Sequence, residues 1–338
     1  MLDNYSYLRE LVSGVENSAA HIFGIKDGLL YYPASNQNYQ GEVNFAVPNP
    51  DPEVTIRYFV KDGYTTLRQK RMNEQRAAEK AGREITFPTN EQLVAEETEE
   101  PAVLLFTIFD AQGNIMRKVE RPLRRGMSEL TWDMRYLRRN GPAVPPGTYS
   151  VKMEKYANGK FVTLVEKKDF GVNTLDNNAL GTPDYVAKFE FLKKAADLSQ
   201  VISETGRYAS DLKAKIGTIR GDLLEVPAAT NDLKIKATAL ENSVNEIIVA
   251  ISGDRSSARL DADTPSILSR ARYAVSANTS AEHGIMGAQE EQLAIARTKF
   301  EAEYNKLRAI VENEFPAFTA QLKSVGIMWT PGDFPQFR

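Results

Sequence analysis

Two histidines, His21 and His283, are the only imidazoles in 338 residues, and cysteine is absent. A chain without thiols has no disulfide, no thiolate nucleophile and no thiolate metal ligand. The two histidines fall in different parts of the chain, so a multi-histidine metal site or a Ser-His-Asp triad would rest on one isolated imidazole. The 45 acidic residues will produce pairs at glycosidase spacing by chance, which is no signal without a cleft. Asp254, Asp261 and Asp263 around the loop 255–265, and Asp110 with Asn114, are oxygen donors of the kind hard cations take. Short polar residues in such loops are accounted for by turns and caps, and nothing after Asn114 continues a calcium loop. Phosphate loops, nucleophile elbows and metal-ligand helix motifs are not found. No catalytic, cofactor-binding or metal-binding residue is therefore assigned. The residues offered as contacts for a partner protein or a glycan are Trp329, Phe334 and Phe337, an aromatic tail spaced by Pro331 and Pro335.

The charge balance is narrow, 42 basic against 45 acidic residues for a net charge of −3, so there is no surplus positive field to hold nucleic acid. With 42% hydrophobic residues the chain can bury two or three cores of ordinary size. Its apolar runs are only a handful of residues long, too short to span a bilayer as a helix. Asp3, Glu10 and Glu16 occupy the first twenty residues in place of a basic segment and an apolar stretch, so these are not a signal peptide.

Three segments are expected. Residues 1–40 form an arm that leads into the next segment through the polar run Ser35–Gly41. Residues 41–175 show seven short runs of strand character: Val43–Val47, Val54–Val60, Val103–Phe109, Ile115–Val119, Leu130–Met134, Tyr149–Tyr156 and Phe161–Phe170. Asn158-Gly159 suits a tight hairpin turn, and Asp110 with Gly113 suits another. Seven short strands at such spacing predict an immunoglobulin- or fibronectin-like β-sandwich. It is interrupted over 62–100 by a basic, helix-forming stretch and then an acidic run. Glu74 and Glu79 lie among the bases and the acidic run can neutralise them, so a solvated excursion is expected there rather than a phosphate site.

In residues 176–338 the hydrophobic period lengthens to between three and four. Leu212, Ile216, Ile219 and Leu223 form one stripe; Leu233, Leu240, Val244, Ile247 and Ile251 a second; Phe300, Tyr304, Leu307, Val311, Phe315, Phe318, Leu322 and Val325 a third. One-faced helices must cover each other, which predicts an up-and-down bundle of three long helices and one short helix, Ile267 to about Ala277. Gly206 is expected to bend the first helix, Thr230-Asn231 to cap the second, and Pro316 to kink or break the last. Phe300, Tyr304, Phe315 and Phe318 are read as packing rather than as a carbohydrate platform.

Three stretches resemble one family. Leu2-Asp3-Asn4-Tyr5-Ser6-Tyr7-Leu8-Arg9 looks like the end of a propeller blade, and Thr66-Leu67-Arg68-Gln69-Lys70-Arg71 through Glu97 like a charged insertion. Phe106–Phe170, with Leu130-Thr131-Trp132-Asp133-Met134-Arg135-Tyr136 and Pro146-Gly147-Thr148-Tyr149, resembles the immunoglobulin-like module of flagellar hook-capping proteins and C-terminal modules of secreted Bacteroidetes proteins. Together they resemble the C-terminal region of secreted bacterial sortilin-type, BNR-repeat, glycosyl-hydrolase-like β-propeller proteins. The resemblance implies a periplasmic, cell-surface or secreted location and a non-catalytic interaction or scaffold role beside a propeller or another envelope component. The alternative is a carbohydrate-binding or glycoside-hydrolase accessory region whose active site belongs to the propeller. The first 40 residues then read as the remnant of a blade and a linker.

Overall fold

The computed structural model describes residues 6–11, 14–31, 51–139, 141–175, 183–227, 229–254, 264–276 and 284–326. It divides into two compact units, Met1–Tyr185 and Val186–Arg338.

In the first unit, helix α1 (Ser6–Leu11) and a 3₁₀ turn (Val15–Asn17) precede strands β1 (Ala20–Ile22) and β2 (Gly28–Leu30). Then come β3 (Val54–Val60), α2 (Leu67–Lys80), α3 (Asn90–Thr98), β4 (Val103–Asp110), β5 (Ile115–Pro122), β6 (Gly126–Trp132), β7 (Gly147–Ala157) and β8 (Lys160–Thr174). One sheet has the order β1-β3-β6 and the other β2-β8-β7-β4-β5. Alternate residues of β3, from Val54 to Val60, are buried, as a one-sided strand requires. The turn between β7 and β8 is closed by Asn158 and Gly159 at φ 51° and 71°, the positive values that match the twist of a hairpin. Asp110 accepts a 2.7 Å bond from the Asn114 N–H, with Gly113 left-handed at φ 84°.

The two sheets meet through aromatic rings. Tyr58 lies 4.8 Å from Phe106, and Trp132 lies 5.4 Å from Tyr149 and 5.9 Å from Phe170. Trp132 Nε1 donates to the Arg135 carbonyl at 3.1 Å and the Tyr149 hydroxyl to the Pro145 carbonyl at 2.6 Å, so neither polar end is stranded in the core. Burial pushes the Tyr149 phenol well above its ordinary pKa. The Trp-Asp and Pro-Gly-Thr-Tyr segments thus supply an aromatic cluster at the centre of this unit. Strand β6 stops at Trp132, short of the expected Met134, because Met134 turns to φ 52° while its side chain stays buried.

In the second unit, α4 (Tyr185–Asp222), α5 (Asn231–Ser252), α6 (Ile267–Ser276) and α7 (Gly287–Ala309) are followed by a π-helical turn (Ile310–Glu314) and α8 (Phe315–Ser324). They share one apolar cluster that includes Ile202, Leu212, Ile216, Val244, Ile247, Phe300 and Leu322. α4 runs 38 residues without a break at Gly206. A Cβ there would stand 3.1 Å from Ile251 Cγ2, so the glycine admits α5 rather than bending α4. Thr230 sits at the N-cap of α5 without making a side-chain cap bond.

The fold class expected from the sequence is overturned. Helix makes up about 51% of the described residues and strand 23%, and the main sheet is a curled, mixed, five-stranded half-barrel accompanied by helices, in place of an immunoglobulin-like sandwich followed by a helical bundle. Two causes are visible. β2, from the N-terminal segment, adds to β8 in parallel, a pairing foreign to an all-antiparallel sandwich. β7 and β8 are 11 and 15 residues long, and their register shifts at Val151/Met153 and Met153/Glu154; extra residues bend a strand and deepen its twist.

The helices depart from regular up-and-down packing as well. α6 and α7 make the most extensive backbone approach of any helix pair in this unit, with Ala271, Ala274 and Ala296 fully buried. The last rod changes winding before Pro316. Proline has no N–H for the carbonyl four residues back, and Phe315 N–H bonds the Ile310 carbonyl, five residues back. The expected break is therefore a π turn that lets the rod continue. The expected strand Val43–Val47 lies outside the described residues.

Candidate docking groove

Glu204, Arg207, Tyr208 and Asp211 follow one another on α4 by steps of three, one and three, which puts them on one stripe of its surface. Tyr304, Leu307, Arg308 and Val311 repeat the spacing on α7 and the π turn. The two stripes face each other across a groove of about 510 Å³. Leu307 is buried at its floor, while Tyr208 and Tyr304 are 51% and 44% exposed on its walls. Arg207 is paired with Glu204, and Arg308 Nε donates to Glu312 Oε1 at 2.8 Å. The hydrogen bond to Glu312 raises the pKa of Arg308. The winding change over Ile310–Glu314 sits at one end of the groove, and such insertions recur where a helix is adapted to a function.

Chemically the groove is a candidate docking surface. It has two aromatic faces, an apolar floor and two arginines, residue types enriched where proteins hold partners, with the arginine charges paired to Glu204 and Glu312. Its Thr205 hydroxyl is committed to the Val201 carbonyl at 2.8 Å. Elsewhere, no group of three or more His, Asp or Glu among the described residues stands close enough to hold a metal ion. No helix among them is long and apolar enough to cross a membrane. A second cleft of about 610 Å³ opens near Arg270, Lys299 and Glu303, with Asp254 and Thr264 in its lining; residues 255–263, which join those two, are outside the described residues.

Of the side chains that the sequence offers for chemistry or contact, Trp329, Phe334, Phe337, Asp261, Asp263 and His283 lie outside the described residues. His21 Nε2 lies 3.0 Å from Glu10 Oε2, a contact that joins β1 to α1. Of the aromatics read as packing, Phe300 and Phe318 are buried and Phe315 is half-buried, but Tyr304 is not. Its spacing places it on the core stripe; what the spacing cannot show is that its ring packs on Phe300 and still stays 44% exposed. The sequence pattern does not single out Tyr208. Its signal is the polar stripe Glu204-Arg207-Asp211 around it on an otherwise one-sided helix.

No family model matches the chain, and no curated protein does. Among solved structures, the crystal structure of FlgD from P. aeruginosa is similar at 22% identity and a TM-score of 0.18, over 24% of this chain and 58% of that one. The chain thus spans a little over half the length of that structure.

Proposed function

We propose that this chain is a non-catalytic interaction and scaffold region of an exported bacterial envelope protein, working attached to or beside a β-propeller, with a protein partner seated in the α4–α7 groove. The observation that carries the reading is the exposure of Tyr208 and Tyr304 on facing stripes above a buried leucine. Tyrosine and arginine around a desolvated centre supply most of the binding energy at protein interfaces. The export, the envelope location and the propeller are supported by the sequence resemblance alone. The balanced charge gives no support to a nucleic-acid partner.

The test is affinity capture from envelope extract with the wild-type chain and with Tyr208→Ala/Tyr304→Ala as bait. The wild type is expected to enrich a protein whose recovery falls about tenfold or more with the variant. Equal recovery by both baits contradicts the reading.

A second reading, carbohydrate binding or a glycoside-hydrolase accessory role with the active site in the propeller, is favoured by one feature. Two exposed tyrosine faces beside Glu204 and Asp211 could stack on and hydrogen-bond to a sugar. A glycan array with the same two proteins separates the readings, since a glycan signal lost in the variant supports this one.

A further inference from the structure

The α2–α3 hairpin leaves β3 and returns to β4 without burying a single residue in either helix. Its order comes from polar contacts. Thr66 with Gln69, and Thr89 with Gln92, form reciprocal capping boxes at the two helix starts. Glu99 receives the Leu67 N–H at 2.8 Å and the Tyr64 hydroxyl at 2.6 Å, which closes the base of the hairpin. Arg71 grips Glu96 through two bonds of 2.6 and 2.8 Å between the helices.

What the hairpin shows to its surroundings is unusual for a solvated excursion. Met72, Phe87, Leu93 and Val94 are 37%, 84%, 41% and 50% exposed. The charges are also divided by helix. α2, LRQKRMNEQRAAEK, holds five basic residues to two acidic ones, a surplus of three positive charges. α3, NEQLVAEET, holds three acidic residues and no basic one, a surplus of three negative charges. A surface that complements this hairpin needs an acidic helix beside α2, a basic helix beside α3, and apolar side chains between. The hairpin itself, turned about a two-fold axis, meets all three conditions, and self-complementarity is what an isologous dimer interface demands.

We propose that two copies of this chain associate through their α2–α3 hairpins, the basic α2 of each lying on the acidic α3 of the other and the exposed apolar residues meeting between them. The hairpin and the groove belong to different units, so this pairing stands or falls independently of the groove's occupant.

The test is sedimentation velocity on the full chain from about 1 to 100 μM, with three variants whose melting temperatures are checked first. The wild type is expected to sediment at twice the chain mass within that range, and added salt is expected to weaken the association. Phe87→Asp/Val94→Asp is expected to weaken it about 30-fold or more. Reversing α2 with Arg68→Glu/Lys70→Glu/Arg76→Glu, or α3 with Glu91→Lys/Glu97→Lys, is expected to give a monomer in each case, because both helices of the hairpin then carry one sign. Mixing the two reversed proteins is expected to restore a dimer. A wild type that stays monomeric to 100 μM overturns the proposal. So does a dimer indifferent to these substitutions, and so does a mixture of folded reversed variants that fails to pair.

Discussion

Glu10 joins three pieces of the N-terminal segment. Its carboxylate lies on α1, receives the Gly24 N–H at 2.8 Å and faces His21 Nε2 on β1 at 3.0 Å. Burial pushes its pKa up, but the bonds from His21 and Gly24 and the nearby Lys168 outweigh it, and the net shift is below the ordinary 4.5. A carboxyl whose folded pKa is depressed contributes stability above its unfolded value and loses it as pH falls through the folded one. The tie between α1 and β1 is therefore expected to be complete above about pH 5 and to loosen in the acid range below 4.5. The Gly24 amide shift in NMR should titrate with a midpoint under 4.5, and Glu10→Gln should flatten that titration. A midpoint at or above 4.5 would show that the bonds do not hold the carboxylate. At this scale the sequence is readable where one residue type answers one local need. Asn158, Gly159 and Gly113 take the positive φ their turns require. Tyr304 is not readable in this way, since its exposure depends on where α4 lies.

The hairpin helices give a sharper prediction than the buried ones, because their capping boxes are among the few polar contacts that hold them. Removing a capping threonine costs about 0.5–2 kcal/mol, and 14- and 9-residue helices without buried residues have little reserve. Thr66→Ala/Thr89→Ala is expected to speed hydrogen exchange across 67–80 and 90–98 and to leave exchange in β3, β4 and β6 unchanged. Slower folding or faster exchange throughout the sheets would mean that the hairpin is part of their core. Elements with strong local signals appear in the chain close to where their residues place them: β3 by its alternation, α5 by its stripe, α7 by its period of three and four. The winding change before Pro316 is signalled by the proline, but its form is not. A missing donor can end a helix, kink it or shift its bonding, and the packing of Phe318 and Leu322 into the shared cluster favours the form that continues the rod.

For the whole molecule, local pattern is a poor guide to fold class. Alternating strands look alike in a flat sandwich and in a curled half-barrel. The parallel β2–β8 pair joins residues more than 140 positions apart, Gly28 with Val172, and nothing in either run announces the other. Gly171 N–H and the Asn173 side chain both reach Asp27 at that edge, at 2.7 and 3.2 Å, long-range bonds that a single sequence does not display. The groove is of the same kind. The α7 stripe is readable as a stripe but its spacing points to the core, the α4 stripe is not singled out, and the opening between them is a property of the assembled unit. A photo-crosslinking amino acid placed at Tyr304 in living cells, with the same substitution at exposed Tyr273 as a control, tests the docking role most directly. A discrete adduct with an envelope protein from position 304, and none from 273, is the expected result. The same products from both positions, or no adduct from 304 while the protein is folded and abundant, would contradict it.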